Sequence, residues 1–192
     1  MKKLILLVIV IFSQGLLSAQ QFMIDPGHTA VVSKVMRFEV VKVIGRFTDV
    51  KGTINYNSSD NSKITAEILI KSGSYSANNS DGEKAIKSAM FLDVENFPEI
   101  KFVTKSMAKS GNGFKVVADL TLHGVTKEIS FMATLGGPAL DLPTGKQSIG
   151  ISGTFTINRQ DFGIRMAGKL PNGGMVVGND VEIEINALAI AK

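Results

Sequence analysis

The sequence predicts an all-β protein: one antiparallel barrel of eight or nine strands with one short helix. Three observations lead there. Apolar and polar residues alternate with period two along most of the chain, as they do on strands with one buried face. The segments between are turn-sized, and only one stretch carries helix formers without that alternation. A sheet of this many strands must hide both its edges and its apolar face, and closure into a barrel does both.

Taken in order, the segments Ala30 to Val40, Val41 to Val50 and Thr53 to Tyr56 are β-branched or aromatic and predict the first strands. Ile64, Ala66, Ile68 and Ile70 then share one face against Thr65, Glu67 and Leu69. Asp81 to Ala89 reads as the helix, with Asn79, Ser80 and Asp81 as candidate N-caps. In the following MFLDVENFPEIKF, Phe91, Phe97 and Phe102 suit plugs or lining, and Ile100 to Met107 suits a strand. Phe114, Val116, Ala118, Leu120 and Leu122 form a hairpin with Ile129, Phe131, Ala133 and Leu135 around the turn residues His123 and Gly124. Ile149 to Ile157 and Val181 to Ala189 supply the last two strands.

Composition excludes several functions. The chain of 192 residues has the size of one domain, and 44% hydrophobic with 20% charged residues is a globular balance. With 0 Cys, no disulfide framework, thiol nucleophile, Cys-ligated zinc or lipidated cysteine is available. Two histidines, His28 and His123, are too few for a transition-metal site without carboxylate help, so neither a metal nor another cofactor is expected. Residues 1–19 open with Lys2 and Lys3, continue through the apolar run Leu4 to Phe12 and end at Ala19, a secretory signal layout too short for a membrane span. Residues 20–192 are then the exported domain, periplasmic or secreted. Setting aside Lys2 and Lys3 leaves 19 basic against 17 acidic residues, and with 0 Trp there is no case for nucleic acid.

The order of motifs resembles the YceI-like family of exported, lipocalin-like barrels. FMIDPGHTAVVSKVMRF (22–38), GRFTDVKGTI (45–54), MFLDVENFPEIKF (90–102), LTLHGVTKEI (120–129), GTFTINRQDFGI (153–164) and VGNDVEIEI (177–185) follow one another as in that family. The resemblance implies an eight-stranded antiparallel barrel whose apolar tunnel holds a polyisoprenoid or similar long-chain amphiphile. It departs at Ser80 to Glu83, where the family's basic and imidazole groups are missing, and at Phe22, where Trp or Tyr is common.

The candidate ligand-binding residues are the inward positions Ile68, Ile70, Phe102, Val116, Ala118, Phe131, Ala133 and Phe155, with Phe91 from the post-helix segment and His28 for a head group. Each apolar one would equally suit a filled core. His28 and His123 also suit turn roles, and Arg159 is expected to pair with Asp161 or with a carboxylate of a neighbouring strand. The Gly-rich 168–180 segment reads as a loop and strand start at the tunnel rim. The functional expectation is an exported carrier for a long-chain isoprenoid or fatty amphiphile, without catalysis and not membrane-spanning, with a homodimer compatible. The alternatives are an enzyme or accessory factor acting on an isoprenoid quinone or lipid, with His28 or Asp161 as proton donor, and an outer-membrane barrel with its apolar face outwards.

Overall fold

The computed structural model describes residues 20–57 and 64–192; the expected signal segment lies outside the described residues. Eleven strand segments form one antiparallel sheet: β1 (Gln20–Ile24), β2 (Ala30–Arg37), β3 (Val41–Phe47), β4 (Val50–Tyr56), β5 (Thr65–Lys71), β6 (Tyr75–Ala77), β7 (Glu99–Ser110), β8 (Gly113–Leu122), β9 (Val125–Asp141), β10 (Lys146–Asn158) and β11 (Val177–Ala191). One helix, α1 (Ser80–Lys87), interrupts them. The segment order resolves into eight strands. β1 and β2 both pair with β11, β3 pairs with β2 while β4 pairs with β1, and β5 and β6 continue the same line beside β4 and β3. Each of these three pairs is therefore one long strand with a break. β1 closes the ring by pairing with β4 on one side and β11 on the other.

The breaks have local causes. Between β1 and β2, the Asp25 carboxylate accepts from Gly27 N at 2.9 Å and pairs with His28 Nδ1 at 2.7 Å, folding Pro26–His28 into a single 3-10 turn. That turn is tied to β11, because Thr29 Oγ1 both donates to Leu188 O and accepts from Leu188 N. Between β3 and β4, Thr48 N and Oγ1 both donate to Ser74 O. Between β5 and β6, Ser72 is 1% exposed, and its hydroxyl donates to Phe97 O at 2.7 Å.

Inward positions follow the pleat. Phe114, Val116, Ala118, Leu120 and Leu122 are all buried, while Lys115 on the other face is exposed. On β11, Ile183 and Ile185 face the interior, whereas Glu182 and Glu184 lie outside in an ion-pair chain with Lys34 and Lys42. The apolar face therefore points inwards, not outwards. A bulge between Thr104 and Ser106 shifts the phase of β7, so that Ile100, Phe102, Thr104 and then Met107 all face the interior. The β2–β3 turn is unusual. Val40 N donates to Arg37 O, and the two residues between them, Phe38 and Glu39, sit at φ 54 and 58, in the left-handed region, within a three-residue loop closed by the Arg37–Val41 pair. Such turns favour Asn-Gly; an L side chain in this region costs roughly 1–2 kcal/mol per residue.

Phe22 carries the closure, being 0% exposed with its ring edge-on to Tyr56 at 5.9 Å. Replacing it with Ala is expected to lower the unfolding free energy by about 3–5 kcal/mol, read as a reduced urea midpoint, with early amide exchange along β1.

Candidate ligand cavity

The barrel encloses an apolar cavity. One end is stopped by the protein's own side chains: Phe22, Tyr56, Phe114, Ala133, Ile149 and Ala189 are buried there but do not line the open space. Towards the other end the lining reaches Ile86 of α1, Phe91 and Leu92 after it, Val35 of β2, and Ile164 and Val177 on either side of the 165–176 loop. On β11 it runs from Val177 to Ala187. Ten steps of roughly 3.3 Å, at a strand tilt of about 40°, give a length of about 25 Å along the barrel.

The walls are shaped by aromatic rings over small residues. Phe102, Phe131 and Phe155 form a row, with centroids 6.2 Å and 4.9 Å apart, the second pair stacked. Gly153 makes that row fit, since a Cβ there would stand 2.8 Å from the Phe131 ring. Tyr75 rests its ring on Gly45 and meets Phe47 edge-on at 5.5 Å. Its hydroxyl bonds Ser33, and burial pushes its pKa upwards.

Of the residues expected to touch a ligand, Ile68, Ile70, Phe91, Phe102, Val116, Phe131 and Phe155 line this space. Ala118 and Ala133 do not: both are buried in the wall, and Ala133 pairs with Phe114 at the filled end. His28 does not either. Its side chain is 75% exposed, and the ion pair with Asp25 raises its pKa. Asp161 lies outside the lining as well. His123, at φ 51 in the β8–β9 turn, packs its ring at a tilt against Phe97, with centroids 4.2 Å apart. The residues that alternation could not point to lie off the regular strands: Thr29, Ile86, Leu92 and Ile164.

Arg159 overturns the expected carboxylate pair. It is 3% exposed, and its guanidinium donates to four main-chain carbonyls: Nε to Gly178, Nη1 to Ile164, and Nη2 to Met166 and Val177. A planar fork of donors can bridge several chain segments at once, which a carboxylate pair would not do. The result is a clasp that holds the loop after Ile164 to the start of β11 at the end of the cavity, with burial lowering the Arg159 pKa. On the opposite side, α1 is capped by Asn79, whose side chain accepts from Gly82 N. It is tethered by Glu83, whose Oε1 accepts from Ala77 N at 2.6 Å and from the Ser76 hydroxyl at 3.2 Å. Glu83 thus satisfies the edge of the three-residue β6, and the Ala77 amide, followed by Ser76 and Lys87, holds its carboxyl below the usual range.

Fold and cavity together define a closed antiparallel eight-stranded barrel built around an elongated apolar chamber. The chain belongs to the YceI-like domain family, whose model matches residues 22–189. A UPF0312 protein of Pseudomonas putida (strain W619) is 35% identical over 161 residues, covering 82% of this chain and 83% of the relative. Among solved structures, Burkholderia cenocepacia BcnA superposes with a TM-score of 0.75 at 16% identity, covering 86% of this chain and 98% of its own. A polyisoprenoid binding domain from Saccharophagus degradans superposes with a TM-score of 0.67 at 13% identity, covering 91% and 99%. Among the described residues no helix is long and apolar enough to cross a membrane, and no group of three or more His, Asp or Glu is placed to hold a metal ion.

Two outcomes follow for the end of the cavity opposite the filled one. Arg159→Met leaves buried carbonyls without a donor, and a loss of at least about 2 kcal/mol is expected, with amide protection collapsing over 164–178. The Glu83 tether is complete above the ordinary glutamate pKa of about 4.3 and is lost as pH falls through the depressed folded value. Exchange of the Ala77 amide should therefore accelerate in acid, and Glu83→Gln should remove most of that pH dependence.

Proposed function

We propose that this protein is an exported binding protein that carries a long-chain isoprenoid or similar apolar amphiphile, taken up reversibly along the barrel. One observation carries the reading: an elongated chamber, whose wall runs along β11 from Val177 to Ala187, lined almost throughout by aliphatic and aromatic side chains. Of its few polar side chains, Thr29 is bonded to Leu188, Tyr75 to Ser33 and Arg159 to four carbonyls of the protein itself. Such a space returns about 0.8 kcal/mol per methylene removed from water, so affinity grows with chain length and needs no polar anchor. Ile68, Ile70, Phe91, Phe102, Val116, Phe131 and Phe155 are the proposed contacts. The similar architecture of the Saccharophagus degradans domain, described as polyisoprenoid binding, supports the ligand class. The layout of residues 1–19 supports export to the periplasm or beyond.

Native mass spectrometry of the purified protein, followed by organic extraction, tests the reading. A co-purifying long-chain molecule is expected, and filling the chamber with Ala66→Trp or Ala187→Trp should reduce it about tenfold or more while the barrel still melts cooperatively. A protein that is empty and takes up no prenol, quinone or fatty amide would overturn it.

A further inference from the structure

We propose that the β2–β3 turn is a membrane-surface anchor that seats the ligand-entry end of the barrel on an anionic lipid bilayer. The proposal rests on the carrier reading for its purpose and on a separate set of residues for its evidence. Five large apolar side chains stand exposed within nine residues of one hairpin: Met36, Phe38, Val40, Val41 and Ile44. Val40 is 82% exposed at the tip. This cluster of exposed apolar side chains, interrupted by Glu39 at the tip and by Lys42 opposite Met36, marks an interaction site rather than ordinary surface composition.

The backbone makes the same point independently. A turn required only to reverse the chain would place Asn-Gly where Phe38 and Glu39 stand, yet here two L residues are held in the left-handed region. The strain is held from outside the turn, by Phe38 N donating to Val176 O and by Met175 N donating to Glu39 Oε1. Strain maintained at an exposed apolar tip points to use of that tip. The same two bonds join it to the 165–176 loop, which Arg159 clasps over the cavity end. Val35, two residues before Arg37 on the same strand, lines the cavity.

Charge selects the occupant. Arg37 lies over the Phe38 ring at 4.1 Å, and the exposed Arg165 and Lys169 lie on the adjoining loop, Lys169 bridging Met175. Among the described residues none of these three cations has an acidic partner within ion-pair distance. Apolar side chains flanked by unpaired cations fit the interface of a bilayer bearing anionic head groups, which attracts such cations. An isoprenoid or fatty chain is itself dissolved in a bilayer, so an entry end held there receives it without crossing water.

The chain contains no Trp, so a single introduced indole reports its own surroundings. F38W is titrated with vesicles of phosphatidylcholine and phosphatidylglycerol, beside L142W, whose site is 83% exposed on the β9–β10 hairpin at the filled end. The F38W emission should shift to the blue and be quenched by brominated acyl chains, that of L142W should not, and V40D in the F38W background should weaken partition about tenfold. High salt should weaken it too. No shift of F38W, or an equal shift of L142W, would overturn the anchor. A blue shift without vesicles that grows with protein concentration would overturn it in favour of a second copy of the chain. Uptake of a fluorescent polyene fatty acid, measured without vesicles, separates the two readings. Uptake without docking overturns the anchor alone; docking without uptake supports the anchor and removes the carrier reading.

Discussion

Closure of the sheet by β1 is the constraint on which the rest of the molecule depends. Five residues, Gln20–Ile24, complete hydrogen-bonded ladders with β4 and with β11, so the first and last strands among the described residues become neighbours. Without that bridge the sheet would present two edges, and its apolar face would need another layer to cover it. With it, every inward position faces other inward positions across a common interior. An eight-stranded ring leaves just enough width for side chains to fill or for one slender ligand to enter. Both solutions occur here: Phe22, Tyr56, Phe114 and Ile149 fill one end, and the remainder stays open.

The open remainder is apolar because the protein satisfies its own polar groups before a ligand could. Arg159 is the extreme case. A buried guanidinium is costly in apolar surroundings, and its cost here is offset by four carbonyl dipoles, which in turn gain donors that the irregular 164–178 loop could not supply from a ladder. One residue thereby stabilises the loop and leaves the chamber without a free charge partner. Glu83 does the corresponding work on the helix side by giving the short edge of β6 an acceptor. Both devices sit at the end opposite the filled one, so the cavity end is held by specific side chains rather than by sheet.

Much of the barrel was legible in the residue pattern, and the exceptions share one cause. The alternations at Ile64 to Ile70, Phe114 to Leu122 and Val181 to Ala189 marked the inward faces correctly, because a half-buried strand must alternate. The breaks that divide three strands into segments were not legible, since Asp25, Thr48 and Ser72 take partners far away or local to a turn. β1 is too short to show a period, and the bulge in β7 shifts its phase between Thr104 and Ser106, so inward Met107 falls out of step with Phe102. Alternation likewise could not separate Ala118 and Ala133, which face inwards without meeting the open space, from Val116 and Phe131, which do. Position along the barrel axis makes that difference for Ala133, and a local pattern does not contain it.

The sequence by itself determined most of the long strands, the apolar side of those that alternate without a bulge and the place of the single helix. Those depend on local periodicity and composition, which the chain carries in full. Only the tertiary structure decided that β1 joins β11, where the interior is filled and where it is open, and that Arg159 answers carbonyls rather than a carboxylate. The closure joins residues far apart in the chain and is chosen by ring geometry, while the carbonyls that Arg159 meets lie only 5 to 19 residues on and are chosen by the need to satisfy buried polar groups, which periodicity does not encode.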